Sequence, residues 1–319
     1  MSLFKEYFRF LIDNPTRLVL FCAICLFFLT VPSRLIYSFP NLENRGPIFR
    51  EIDMPLPTPN LYPVNKTGAA APNLTARSAI AVDIDSKAVI FLKNPDEHLL
   101  PASTTKMVTA LVALQEYNLT DVVIIKNPVY IGQIMELQED EQITIENLLY
   151  GLLVHSGNDV AQALADLHPR GSEVFIEKMN EIVKSLGLKD THFTNPTGLE
   201  DSEHYSTVHD LAIIGAEVIS HPELEKMVST KTITVTDVSG EIVHELENIN
   251  ELLGIVPGLK GIKTGWTENA GECLVAYTER DGHRVITAIL GSYDRFGETR
   301  ILVDWIFNNH KWEKIQLAK

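Results

Sequence analysis

Leu274-Val-Ala-Tyr-Thr278-Glu-Arg-Asp281-Gly282-His-Arg-Val285-Ile-Thr-Ala-Ile-Leu290 decides the fold. Two apolar runs flank Asp281-Gly282, a dipeptide suited to the positive φ angles of a two-residue hairpin turn. A second pair of strand-like runs stands far upstream, at residues 78–84 and 88–92, with Asp85-Ser86-Lys87 turning between them. Between the two pairs the pattern changes from strand to helix. Pro101 precedes a run from about residue 103 to 117, in which Met107, Ala110, Leu111 and Leu114 recur at helical spacing. Thr144-Ile-Glu146 opens another helix, with Leu148, Leu149, Leu152 and Leu153 on its buried side. Ser156-Gly157-Asn158 interrupts it, and helix resumes through Leu164. Residues 172–186 are amphipathic and end at Gly187; 209–219 stop before Pro222; a last helix spans about 298–307. Strands at both ends with helices between them predict an α/β domain. Its sheet is mostly antiparallel, pairs the two ends of the chain, is flanked by helices, and carries a helical subdomain.

Charge and cysteine usage narrow the class. The chain has 319 residues and a net charge of −15. Residues 1–75 hold seven Lys/Arg and five Asp/Glu, which leaves 20 and 37 for the rest, or −17. So acidic a body lacks the basic face that nucleic-acid binding requires. Cys22 and Cys25 lie in an apolar N-terminal stretch and Cys273 stands alone, so no disulfide forms within the body. The histidines show no metal-ligand spacing, and no metal or cofactor is expected.

The N-terminus reads as an export signal. Residues 1–17 are mildly basic, and 18–33 carry no charge; Leu35-Ile36-Tyr37 extends the apolar run past Arg34. About 20 apolar residues cross a hydrocarbon core of about 30 Å. The expectation is a cytoplasmic segment 1–17, a transmembrane signal anchor 18–37 with Arg34 snorkelling, and the remainder outside the plasma membrane. The alternative is a signal peptide cleaved near Val31-Pro32-Ser33. Residues 38–75 contain seven prolines and read as an extended linker, followed by a globular domain, 76–319.

The chemistry lies in three short motifs: Ser103-Thr-Thr-Lys106, Ser156-Gly-Asn158 and Lys263-Thr264-Gly265. Singly they are common; Ser2–Lys5 and Lys66-Thr67-Gly68 repeat two of them where they carry no chemistry. Context separates the copies. Ser103 opens a helix, Lys106 lies on the same face one turn on, and Lys263 stands just before a hairpin whose edge can bind an extended substrate. A lysine titrates ordinarily near ~10.4; burial and a second cation both favour its neutral form. Lys106 is therefore expected to take the proton of Ser103 Oγ, with Lys263 as the second cation. Ser156 passes a proton to the departing amine, and Asn158 orients Lys106. The backbone N–H groups of Ser103 and Trp266 are the candidate oxyanion donors.

With Leu100-Pro-Ala-Ser103, Leu149-Tyr-Gly-Leu-Leu-Val-His-Ser156, Phe193-Thr-Asn-Pro-Thr-Gly198-Leu199 and Tyr205-Ser-Thr207 added, the chain resembles the serine D-alanyl-D-alanine carboxypeptidases, the low-molecular-mass penicillin-binding proteins. The resemblance implies a penicillin-binding-protein/β-lactamase-like domain. It makes Ser103 the acylated nucleophile, Lys106 the base, Ser156 and Asn158 the second motif, and Lys263, Thr264 and Gly265 the third. Its substrate is a peptidoglycan stem peptide ending in D-Ala-D-Ala, and β-lactams are acylating inhibitors. Arg295 resembles the arginine that binds the substrate carboxylate; the competing reading is a surface arginine at a helix start. Relatives often carry a further C-terminal β-rich domain and an amphipathic anchoring helix, so the sequence to Lys319 places the expected anchor at the N-terminus. Trp266 follows the third motif and is expected at the substrate entrance. His155, where relatives often have proline, is read as solvent-facing. Three alternatives stay open: a β-lactamase, which in one class needs an extra glutamate, with none in the Asn195-Pro-Thr-Gly region until Glu200; a D,D-endopeptidase; and an inactive wall-binding scaffold.

Overall fold

In a computed structural model that describes residues 14–30 and 61–314, the Asp281-Gly282 turn forms as its sequence requires, with φ of 52° and 77°. Along the chain the elements are α1 (Pro15–Thr30); β1 (Tyr62–Asn65), β2 (Ser78–Asp83) and β3 (Val89–Lys93); α2 (Lys106–Glu116); β4 (Val122–Ile124) and β5 (Gln142–Thr144); α3 (Ile145–Leu153), α4 (Asn158–Asp166), α5 (Ser172–Ser185), α6 (Val208–Ser220) and α7 (Pro222–Val228); β6 (Thr232–Thr236) and β7 (Val243–Glu247); β8 (Leu259–Thr267), β9 (Gly271–Arg280) and β10 (His283–Ser292); then α8 (Arg295–Asn309) and β11 (His310–Glu313).

The central sheet has the order β3-β2-β10-β9-β8, antiparallel at every step. Pairing of β10 with β2, from Val285↔Asp83 to Leu290↔Ser78, closes the two ends of the chain on each other. Alternation along β10 divides two cores. Val285 and Ile289 pack with Leu302 and Ile306 of α8, whereas Ile286, Ala288 and Leu290 face the helices on the other side. Burial on both faces is why this strand reads as a continuous apolar run rather than an alternating one. The helices α2 to α7 share the larger core, built around Met107, Leu111, Leu148, Leu152, Phe175 and Leu211. Strand β8 is left at the sheet edge, beside that helical region.

Several boundaries differ from those expected. Residues 38–60 of the stretch read as linker lie outside the described residues; in its described part Tyr62–Asn65 pairs with His310–Glu313, and Leu74 is buried against α8 and the sheet. Its prolines conceal a short edge strand, since Pro63 is tolerated where the ladder has only one neighbour. The helix expected from Ser103 begins instead with a 3₁₀ turn, Ala102–Thr105, and becomes α-helical at Lys106. Helix α8 starts three residues earlier than expected, where Asp294 accepts from Gly297 N at 2.8 Å. Lys263 precedes the β9–β10 hairpin as expected, but it lies inside an edge strand of its own, β8, which Gly261 and Gly265 mask in the sequence. The β6–β7 hairpin was not anticipated.

Helix α1, in the unit Met1–Thr58, is 16 residues long. Among the described residues no helix is long and apolar enough to cross a membrane. Residues 31–37 of the expected anchor lie outside the described residues.

Candidate active site

Four segments converge on a cleft of about 770 Å³ beside β8. The 3₁₀ turn presents Ser103, the α3–α4 loop and the first residue of α4 present Ser156 and Asn158, β8 presents Thr264, Gly265 and Trp266, and the start of α8 presents Arg295. Lys106 and Lys263 are buried behind this surface.

The chemistry centres on Lys106. Its Nζ lies 3.0 Å from Ser103 Oγ, 2.6 Å from Asn158 Oδ1 and 2.6 Å from the Thr197 carbonyl. Burial, and after it the charge of Lys263, holds its pKa well below the ordinary lysine value, against an opposing pull from Asp159. A neutral amine has two N–H bonds and one lone pair. Asn158 Oδ1 and Thr197 O can only accept, so they take both hydrogens and leave the lone pair to the Ser103 hydroxyl. Asn158 cannot turn its amide the other way, because its Nδ2 donates to Ile131 O at 2.8 Å.

Lys263 forms a second dyad. Its Nζ donates to Ser156 Oγ at 2.8 Å and to Thr264 O at 3.1 Å. Burial and the nearby Arg295 guanidinium lower its pKa to about 7. Arg295 Nη1 donates to Gly265 O at 2.9 Å, and its guanidinium carbon sits 4.7 Å from the Phe296 ring centroid. Arg295 therefore belongs to the cleft and is not a stray helix-start residue. Trp266 lies 61% exposed on the cleft wall.

The backbone is forced into this shape. Ala102 and Ser156 adopt φ of 49° and 64°. Left-handed non-glycine residues of this kind cost on the order of 1–3 kcal/mol each and persist where surrounding structure fixes them. Two glycines permit the approach of β8 and the 194–199 turn. A Cβ on Gly265 would stand 2.9 Å from Ser103 N, and one on Gly198 (φ +84°) 2.0 Å from Ala102 O.

Some functional residues escaped the sequence reading. Thr197 supplies an acceptor through its backbone; Asn195 Oδ1 makes the turn by accepting from Thr197 N at 3.2 Å and Gly198 N at 2.8 Å. The Asn195-Pro-Thr-Gly198 sequence was the available signal. Asp159, fully buried, accepts from the backbone N–H groups of Met135, Leu137 and Val160 and so holds the loop above Asn158. Gln133 lines the cleft and bonds His155 Nε2 at 2.7 Å, so His155 is engaged rather than simply solvated. Glu200 also lines the cleft. Its Oε1 accepts from Asn269 N at 3.0 Å, its other oxygen from Asn269 Nδ2, and bonds from Thr267 and Asn269 keep it below the usual carboxylate range.

A buried serine–lysine dyad between a sheet edge and a helical region, with a second serine–lysine dyad facing it, defines an active-site-serine acyl-transfer enzyme of the penicillin-binding-protein/β-lactamase-like fold. The family model described as D-alanyl-D-alanine carboxypeptidase, peptidase S11, matches residues 65–294, and the chain belongs to that family. D-alanyl-D-alanine carboxypeptidase DacA of Haemophilus influenzae is 35% identical over 258 residues, 76% of this chain and 64% of that protein. DacF of Bacillus subtilis is 31% identical over 246 residues, 74% of this chain and 63% of the relative. The chain thus spans less than two thirds of the length of these relatives. The crystal structure of the Streptomyces K15 DD-transpeptidase superposes with a TM-score of 0.71 at 30% identity, covering 75% of this chain and all of that one.

Proposed function

We propose that this chain is a serine D,D-carboxypeptidase that removes the terminal D-Ala from peptidoglycan stem peptides and is acylated by β-lactams at the same serine. The observation that carries this reading is the trio of contacts at Lys106 Nζ, which aims an amine lone pair at Ser103 Oγ. Lys106 takes the hydroxyl proton as Oγ attacks the carbonyl of the penultimate D-Ala. Ser103 N–H and Trp266 N–H receive the oxyanion; one such donor is worth about 2.7–4 kcal/mol. The tetrahedral adduct collapses, the C–N bond breaks, and Ser156 with Lys263 delivers a proton to the leaving amine. Water then cleaves the acyl-serine. Arg295 and Thr264 hold the terminal carboxylate. Incubation with a pentapeptide ending in D-Ala-D-Ala is expected to release D-Ala, and Ser103→Ala to abolish it. Release that persists in Ser103→Ala refutes the reading.

A β-lactamase needs rapid hydrolysis of the acyl-serine. Glu200 is the acidic residue nearest to that role in the sequence, but its carboxylate is committed to Asn269 and Thr267 and its lowered pKa makes it a weak base. Slow nitrocefin turnover is therefore expected. The balance between carboxypeptidase and D,D-endopeptidase action is measured with cross-linked muropeptides, and labelled penicillin marks the protein unless it is an inactive scaffold. Residues 18–37 are proposed as a retained plasma-membrane anchor with the enzyme outside, on the strength of the charge-free run from 18 to 33. Cofractionation with membranes and an intact N-terminus are the expected results; a mature N-terminus near Ser33 would show cleavage instead.

A further inference from the structure

Asn158 rests on a loop that does not hold its own shape. Residues 125–141, between β4 and β5, form no helix or strand. Asn127, Glu136 and Asp140 stand at φ of 51°, 67° and 65°, angles that non-glycine residues keep only where surrounding structure fixes them. The loop in turn fixes Asn158. Ile131 O accepts from Asn158 Nδ2 at 2.8 Å and Gln133 O from Asn158 N at 2.7 Å, and a Cβ on Gly132 would stand 2.7 Å from Asn158 Nδ2. Asp159 is one pin of the loop, through Met135 N and Leu137 N.

The second pin comes from β7. His244 Nδ1 lies 3.0 Å from Met135 O, and its Nε2 lies 2.8 Å from Glu141 Oε1. The other Glu141 oxygen accepts from Gln138 N at 2.9 Å. The two side chains are buried, 4% and 0% exposed. A carbonyl and a carboxylate only accept, so both ring nitrogens donate, and a ring that donates twice is an imidazolium. Burial pulls its pKa down, but the bond and charge of Glu141, with Met135 O and Asp159 behind them, outweigh that and leave it above the ordinary histidine value. Glu141 and Asp159 are the charged groups that face the ring; across the hairpin it meets Val235, and Val243 and Glu245 lie on the exposed side of β7. We propose, building on the acylation of Ser103, that His244 and Glu141 are positioning residues for that step: while the pair holds its proton it pins loop 125–141, and through Ile131 and Gln133 it seats Asn158 against Lys106.

A neutral His244 has one hydrogen for two acceptors. One contact is lost, and the loop gains slack where Asn158 leans on it. Since the folded pKa is raised, the pin is complete below the ordinary value of 6.5 and is lost as pH rises through the folded value. Glu141→Gln separates charge from contact. Its amide oxygen can accept from Gln138 N while its nitrogen donates to Nε2 of a neutral ring, which keeps Nδ1–H for Met135 O. The loop then stays pinned with no proton to lose.

The test uses the full chain and a fluorescent penicillin. Second-order acylation rates are measured against pH in wild type and in Glu141→Gln, and the ring nitrogens of His244 are followed in wild type by ¹⁵N NMR. Lys106 and Lys263 titrate in both proteins and so drop out of the ratio of the two rates. That ratio, wild type over variant, is expected to fall about tenfold across the pH at which His244 loses its proton, the effect of a shift of about half an ångström at Asn158. His244→Gln donates to only one of the two acceptors. At pH 6 it should acylate about tenfold more slowly than wild type, through a lower limiting rate rather than a higher half-saturating concentration. A His244 midpoint below 6.5, a ratio that stays flat across the His244 titration, or a folded His244→Gln that acylates at the wild-type rate overturns the inference and leaves the carboxypeptidase reading intact. If His244→Gln does not fold, the ratio and the NMR midpoint decide alone. Failure of the penicillin to acylate wild type defeats that reading, and the inference with it.

Discussion

Gly265 is the point where the sheet edge touches the nucleophile turn, and replacing it with alanine tests whether that contact sets the chemistry. A Cβ there meets Ser103 N at 2.9 Å, Ala102 Cβ at 3.0 Å and Pro101 O at 3.1 Å. Ordinary contact begins at 3.4 Å, so strand and turn must part by 3.4 − 2.9, about 0.5 Å. None of the three atoms is the end of a flexible side chain. Catalytic geometry tolerates about 0.5 Å, and a displacement of about 1 Å costs roughly 10²-fold. Gly265→Ala is therefore expected to slow acylation by about 10- to 10²-fold. Its backbone lies outside the positive-φ region, so no φ strain adds to the overpacking, whose stability cost is about 1–3 kcal/mol. The assay is the second-order rate of acylation by a fluorescent penicillin, followed by stopped flow, with a thermal melt of the same sample. Acylation at the wild-type rate would refute the argument that β8 and the Ser103 turn are in register to within half an ångström.

Lys263→Met removes the cation that lowers the pKa of Lys106. The Lys106 pKa should then rise, so the acid limb of the acylation rate against pH moves to higher pH; an unmoved limb contradicts the coupling. His204 is buried, with Nε2 2.8 Å from Thr105 Oγ1, and burial lowers its pKa from 6.5 to about 4. Above pH 6.5 the ring is neutral whether folded or unfolded. Between 6.5 and about 4 only the unfolded chain takes the proton, so stability falls as pH falls, by about 3 kcal/mol in all at about 1.4 kcal/mol per unit. His204→Gln should flatten that part of the urea-midpoint profile, and an equally steep profile in the variant removes His204 as its cause. Asp159→Ala strands the buried N–H groups of Met135, Leu137 and Val160. At about 1–3 kcal/mol each, the loss should be about 3 kcal/mol or more, and a urea midpoint within error of wild type would show that water replaces the carboxylate.

The sheet was legible because its central strands are long, apolar and punctuated by Asp281-Gly282, and because the runs at Ser78–Asp83 and His283–Ser292 are apolar enough to pair across the length of the chain. The three motifs were legible because acyl-serine chemistry needs side chains that sequence displays. What stayed hidden works through the backbone or through unremarkable letters. The Thr197 carbonyl looks like any other until the Asn195 turn aims it at Lys106. Asp159 reads as one of many acidic residues in a chain of net charge −15, although it is buried and holds three amides. Strand β1 was obscured by the prolines around it, and β8 by its own glycines, each a feature that strand patterns normally exclude. Gly265 breaks the strand pattern for the same reason that it permits close approach to Ser103.

The claim beneath all of this is that Lys106 stands uncharged beside Ser103. Selective ¹³Cε/¹⁵Nζ labelling of lysine, with the Lys106 resonance assigned by its loss in Lys106→Ala, reads that state directly by NMR as pH is varied. A neutral-amine shift at pH 7 is the predicted result, with protonation setting in only at lower pH. An ammonium shift that persists at pH 7 and beyond would contradict the account.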